Sequence, residues 1–371
     1  MKNKIRKILL ATTLITSLVC TACGNGSVNE PNNNVQQNEV GQIGNDAVTV
    51  TDMGGDVVAL PENIERVVST SDPCTDMMVA FGQSDKLIGA YFRALDNPWF
   101  KVFCPNYDNI VSIDSYEPEA EALIEMDTDI IFVPSRERAV ALREKGICAL
   151  TIRYYNPDEM VYAAEMLGQI FGGDAKTKSE SWIAEFNKAR TEMEKRLADV
   201  PESERPVAYE ILADKDRGPF RTYYGDNQAW LSYAGGILAT KDYADATSQA
   251  MPTEEAILAT NPDIIFIGGT YATKEYESLL KNEMWQNIAA VENGNIFIEP
   301  TGATAWNSCS TSYPLLVYYC YSCMYPEQVD FNMKEMAHDF YLEYYDVDFS
   351  EEEMELMFSS KAPDGGEMWT E

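Results

Sequence analysis

The sequence predicts an α/β protein built as two lobes joined by one long helix, with a ligand cleft between them. Three observations carry this expectation. First, the chain holds its fold unit twice: EALIEMDTDIIFV, starting at Glu121, and EAILATNPDIIFI, starting at Glu255, each place an Asp-Ile-Ile-Phe run eight residues after the leading glutamate. Second, these strand-like runs are continuously apolar rather than alternating, as suits strands of a parallel sheet covered on both faces. Third, residues 157–200 form one long run, broken only at Gly172-Gly173, whose second part has helical spacing and many charges; it separates the two copies.

The elements follow in order. Residues 1–22 place four cations before an apolar stretch about a dozen residues long, the layout of a secretory signal rather than a membrane span. Small residues at Thr21-Ala22 precede Cys23 in a pattern that resembles a bacterial lipobox, with Cys20 where that motif usually has Leu. Cys23 is thus the expected lipidation site (palmitate) and residues 23–45, rich in Asn, Gly, Gln and Ser, the expected tether. The first lobe, residues 46–156, opens with VTVTDMGGDVVAL, a hairpin turning at Gly54-Gly55. Strand RVVSTS, a helix from about Cys74 to Phe81, strand LIGAYF, the helix carrying Glu121, strand DIIFVP, a helix from Glu137 to Lys145 and strand CALTI follow. The alternation indicates a right-handed, Rossmann-like βαβ layout. After the connector, residues 201–371 repeat the order with VAYEIL, QAWLSYA, the helix carrying Glu255, DIIFIG and NIFIEP, and end in the packing helix SYPLLVYYCYSCMYP and an acidic terminal segment.

The net charge is −32, which disfavours nucleic acid and anionic lipid surfaces as partners and leaves solubility or attraction of a cationic ligand as readings. Besides Cys20 and Cys23 there are six cysteines, read as buried thiols with a disulfide left open; Cys320-x-x-Cys323 sits in an apolar run with no second ligand pair. With His338 the only histidine, direct metal binding by side chains is not expected, and a Ser-His or Cys-His nucleophile pair is equally unsupported. No nucleophile elbow, P-loop or dinucleotide fingerprint occurs, so no catalytic residue is assigned.

Ligands of open α/β sheets sit beyond the carboxyl ends of the strands. In this chain those exits gather Arg and Tyr: Tyr91 and Arg93, Tyr116, Arg136 and Arg138, Arg153, Tyr154 and Tyr155, Arg217, Arg221, Tyr223 and Tyr224, Tyr271, and then Trp306. Guanidinium forks bind oxyanions bidentately, and aromatic rings supply flat apolar faces. Together they suit a large, flat, oxygen-rich ligand such as a metal complex that arrives already wrapped. The alternative is that the arginines pair with surface carboxylates.

Read in order, the hairpin VTDMGGDVVALPENIERVVST, the helix TDMMVAFGQSDKLIGAY, the two Glu-led cassettes and the closing FYLEYYDVDFSEEEMELM resemble the periplasmic-binding-protein family that serves iron-siderophore, haem and cobalamin ABC importers. The resemblance spans about residues 46 to 358. It implies a monomeric lipoprotein on the extracytoplasmic face of the cell membrane, with a ferric siderophore, or a corrinoid or haem, as its metal-chelate ligand. It also implies delivery to an ABC permease dimer and its ATPase, with Glu121 and Glu255 docking on the two permease subunits. Glu255 lies seven residues before Pro262, and Glu121 seven before Thr128, where the usual proline is absent. Asp76 and Glu254 are weaker docking candidates. An extracellular enzyme acting on a tetrapyrrole or metal complex, or a surface sensor, are the readings from other classes.

Overall fold

The computed structural model describes residues 48–214, 219–222, 228–241 and 253–368. Cys23, Arg217, Tyr223 and Tyr224 lie outside the described residues. The hairpin forms as the sequence predicts: β1 (Thr49–Thr51) pairs antiparallel with β2 (Val57–Ala59), with Val50 opposite Val58. Asp52 holds its turn by accepting from the amides of Gly54 at 2.9 Å and Asp56 at 3.0 Å.

The first sheet contains β3 (Val67–Ser69), β4 (Leu87–Tyr91), β5 (Val111–Ile113), β6 (Ile130–Val133) and β7 (Cys148–Thr151). Its order is β5-β4-β3-β6-β7, all parallel. The second contains β8 (Val207–Leu212), β9 (Ile237–Leu238), β10 (Ile264–Gly268) and β11 (Ile296–Ile298), in the order β11-β10-β8-β9 and again parallel. In each sheet the chain first builds outward to one side and then returns to build the other. The first therefore has its switch point between β3 and β6, and the second between β8 and β10. A crevice opens at the carboxyl end of such a point, because the chains leaving the two central strands turn in opposite directions.

Continuous apolar strands require cover on both faces, and the packing supplies it. Val67, Ile130 and Phe132 face one core, and their neighbours Val68, Ile131 and Val133 face another. Likewise Ala208, Ile264 and Phe266 join the first core, whereas Tyr209, Ile211, Ile265 and Ile267 form a third. The largest core is thus shared by the two lobes and filled by the helices Tyr313–Met324 and Met333–Tyr345.

The connector is two helices, Pro157–Phe171 and Gly173–Arg196, packed side by side. Gly172 and Gly173 take positive φ values of 63° and 48°, a conformation that costs glycine little and reverses the chain. A Cβ on Gly168 would stand 2.9 Å from Ser179 Oγ, so a residue without a side chain is what lets the helices approach. The six described cysteines beyond the tether are free thiols, three of them buried.

Candidate functional site

A cleft of about 1370 Å³ opens between the lobes, lined by the chain leaving both switch points. From the first lobe come Thr70, Ser71 and Asp72 after β3, Arg93 after β4, Ser135 and Arg136 after β6, and Arg153 to Tyr155 after β7. From the second come Ala213 and Asp214 after β8, Gly269 to Tyr271 after β10, and Thr301 to Cys309 in part after β11. Gly269 is required by the backbone: its φ is +97°, and a Cβ there would stand 2.8 Å from the Ala213 carbonyl.

The predicted arginines divide. Arg93, Arg136 and Arg153 line the cleft, but two of them are engaged with acids. Arg93 Nη1 reaches Asp214 Oδ2 at 3.2 Å, bridging the lobes, and Arg136 Nη2 meets Asp56 Oδ1 at 2.6 Å. The Arg153 guanidinium lies 4.6 Å from the centre of the Tyr155 ring. Arg138 does not reach the cleft: its side chain is largely buried and donates to the Pro118 carbonyl, with Glu119 beside it. Helical geometry explains this, because Arg138 is turned by two residues from Arg136 on the helix Arg136–Glu144 and faces a different neighbour. Arg221 is exposed and stands outside the cleft lining.

The aromatic residues divide too. Tyr116 and Tyr271 line the cleft, and Tyr91 backs Tyr116 in a stack with ring centres 3.9 Å apart. Tyr154 contributes to the wall while its hydroxyl is buried, and burial pushes that hydroxyl well above the usual tyrosine value. The expectation that Trp306 lines the cleft is corrected: it is fully buried, donating Nε1 to Tyr341 Oη at 2.7 Å and packing edge-on to Phe358. The polar edge of the indole thus finds its partner in the helix Met333–Tyr345, away from the cleft lining.

Sequence reasoning missed the acids and amides of the cleft, Asp72, Asp214 and Asn307. Asn307 leads to a buried polar cluster behind the wall. Its Nδ2 donates to Glu210 Oε1 at 2.8 Å, and Gln228 Nε2 donates to Glu210 Oε2 at 2.9 Å. Glu299 is buried beside them and its carboxyl oxygens receive no well-formed hydrogen bond, with the Trp230 indole nearby. Burial and the Glu210 charge push Glu299 well above the usual glutamate value. A carboxyl raised in the fold favours folding at low pH, and that contribution is lost as pH rises from its unfolded value towards its folded one. Glu299→Gln mimics the protonated acid. The melting temperature of this variant relative to the parent is therefore expected to climb as pH is raised from 5 to 8, and parallel melting curves would contradict the assignment.

The two cassette glutamates stand on the surface. Glu121 occupies the first turn of the helix Ala120–Glu125 and Glu255 that of Glu254–Thr260; both are exposed. Lys145 Nζ lies 3.6 Å from Glu121, an exposed pair of little energetic weight. The other docking candidates are turned inward. Glu254 accepts from Trp285 Nε1 at 2.6 Å. Asp76 is fully buried, accepting from Tyr345 Oη at 2.6 Å, the Thr311 amide at 2.8 Å, Thr311 Oγ1 at 2.9 Å and Ser310 Oγ at 3.2 Å. No group of three or more His, Cys, Asp or Glu able to hold a metal ion occurs among the described residues, and no described helix is long and apolar enough to cross a membrane.

Comparison with known proteins agrees with this architecture. Residues 67–301 match the family model described as periplasmic binding protein. The chain is 25% identical over 305 residues to the petrobactin-binding protein YclQ of Bacillus subtilis, covering 78% of this chain and 89% of that one. It is 21% identical over 303 residues to the uncharacterised ABC transporter substrate-binding lipoprotein YvrC of the same organism, covering 79% and 90%. Among solved structures, the molybdate-bound protein MolA of Haemophilus influenzae shares the fold with a TM-score of 0.70 at 18% identity, covering 82% of this chain and 99% of MolA. Fold and family are those of proteins that bind a solute without transforming it, and the chain belongs to the periplasmic binding protein family.

Proposed function

We propose that this chain captures a chelated metal complex, a ferric siderophore, and delivers it to an ABC permease from a lipid anchor at Cys23. The size and lining of the cleft carry the reading. At about 1370 Å³ it exceeds the range of roughly 300–1000 Å³ that suits drug-sized ligands; aromatic faces and guanidinium groups share its lining with separate carboxylates, and no group of three or more side chains able to hold a bare ion occurs among the described residues. A metal therefore enters wrapped in an organic ligand. The likeness to a petrobactin-binding protein supports the same reading. A small oxyanion such as the molybdate of MolA would leave most of this volume unfilled. The stacked pair Tyr91 and Tyr116 favours a corrinoid or haem as the second reading, since a flat macrocycle could extend that stack.

Titration of the pure protein with ferric siderophores, cobalamin, haem and molybdate, followed by tyrosine and tryptophan quenching, separates these. Saturable binding of a ferric siderophore at micromolar concentration or below is expected. Tight corrinoid binding with no response to any siderophore would replace the siderophore by the second reading, and a chemically altered ligand after incubation would return the question to an enzyme.

A further inference from the structure

We propose that the solute carries a protonated amine, and that the cleft receives this ammonium group at Asp72. The inference rests on the chelate reading above and narrows it. Asp72 opens the helix Asp72–Ala80 directly beyond β3, at the first switch point, and lines the cleft. Its Oδ1 is buried and has no well-formed hydrogen bond among the described residues, although the Ala94 amide lies beside the carboxyl. A buried carboxylate oxygen without a donor is costly, so the site stands one donor short.

Among the described residues, the cations of the cleft do not fill that place. Arg93 lowers the Asp72 carboxyl somewhat through its charge, yet its guanidinium is spent on Asp214 across the cleft. Arg136 is held by Asp56, and Arg153 lies over Tyr155. Burial consequently outweighs Arg93 and holds Asp72 at about 7, far above the usual aspartate value. An ammonium brought in by the solute supplies both missing elements, a further hydrogen-bond donor and a positive charge for a partly buried carboxylate. Among the described lining residues the acids Asp72, Asp96, Glu137 and Asp214 outnumber the arginines, which disfavours a highly anionic chelate. The overall charge of −32 would speed the approach of a cationic one.

The test uses two probes that differ in one group: the ferric complex of a linear trihydroxamate ending in a free primary amine, and the same complex with that amine acetylated. The parent protein is expected to bind the free amine at least tenfold more tightly. Asp72→Asn, which keeps the shape and removes the charge, is expected to erase the difference by weakening the free-amine complex alone. Equal affinity of the parent protein for both probes would overturn the ammonium assignment while leaving the chelate reading intact. Equal weakening of both probes by Asp72→Asn would make Asp72 a structural residue and overturn it as well. Failure of the parent protein to bind either probe would count against the chelate reading and this inference together.

Discussion

Replacing Asp76 by alanine is expected to lower the unfolding free energy by about 4 kcal/mol, since removing the shared acceptor of a buried hydrogen-bond network leaves its donors desolvated and unpaired. Four donors converge on this carboxylate, from Tyr345, Ser310 and the amide and hydroxyl of Thr311. Asp76 belongs to a helix of the first lobe, and its donors flank the two helices that fill the shared core. The loss should therefore separate the lobes rather than fray one of them. Asparagine should cost less than half as much, because its oxygen keeps the Thr311 donors and the Tyr345 hydroxyl can turn to accept from its amide. Urea unfolding monitored by tryptophan fluorescence and by circular dichroism measures both variants. An alanine variant with an unchanged midpoint would show that this network contributes nothing net.

The second large effect concerns transport. Reversing both cassette charges, Glu121→Arg with Glu255→Arg, is expected to reduce uptake in cells by a factor of ten or more while changing ligand affinity less than twofold. Both carboxylates are exposed, sit at equivalent places in the two lobes and are not among the residues that line the cleft. Two like charges on pseudo-symmetric lobes match a two-fold partner, where a charge reversal converts attraction into repulsion at both ends. Either single reversal should fall between, and the exposed positions should leave the melting temperature of the protein unmoved. Full uptake by the double variant would refute docking at these residues, and loss of ligand affinity would show that they act on the cleft instead.

Much of the fold was legible because its central strands are long apolar runs, and DIIFV and DIIFI allow no other placement than the middle of a covered sheet. The strands β5 and β9 were not foreseen. Both are edge strands of three and two residues, half exposed, so they carry neither an apolar run nor an alternation long enough to read. The cleft was legible as a place, since strand exits follow from the sheet order, but its charge state was not. Arg93 and Arg136 looked free in sequence because their acids, Asp214 and Asp56, lie 121 and 80 positions away. Trp306 was misplaced for a related reason: a tryptophan after a strand suits a ligand wall and a core equally, and the Tyr341 hydroxyl that decides it comes from a distant helix. Asp76 reads as a surface helix acid until its donors, more than 230 positions on, are in place.

Those donors have company. Asn97 Nδ2 donates to the carbonyls of Gly302 at 3.0 Å and Ala303 at 2.8 Å, and Trp99 Nε1 to that of Lys361 at 2.7 Å, so further hydrogen bonds stitch the lobes, those of Asn97 at the wall of the cleft itself. A molecule stitched in this way is expected to announce its cargo with little swinging of its lobes. It is then expected, on the docking proposed, to present the same pair of surface carboxylates to the permease whether it is laden or vacant. On the docking proposed, vacant molecules occupy the importer as readily as laden ones, and the traffic through it is set by the ratio of the two populations rather than by the amount of cargo alone.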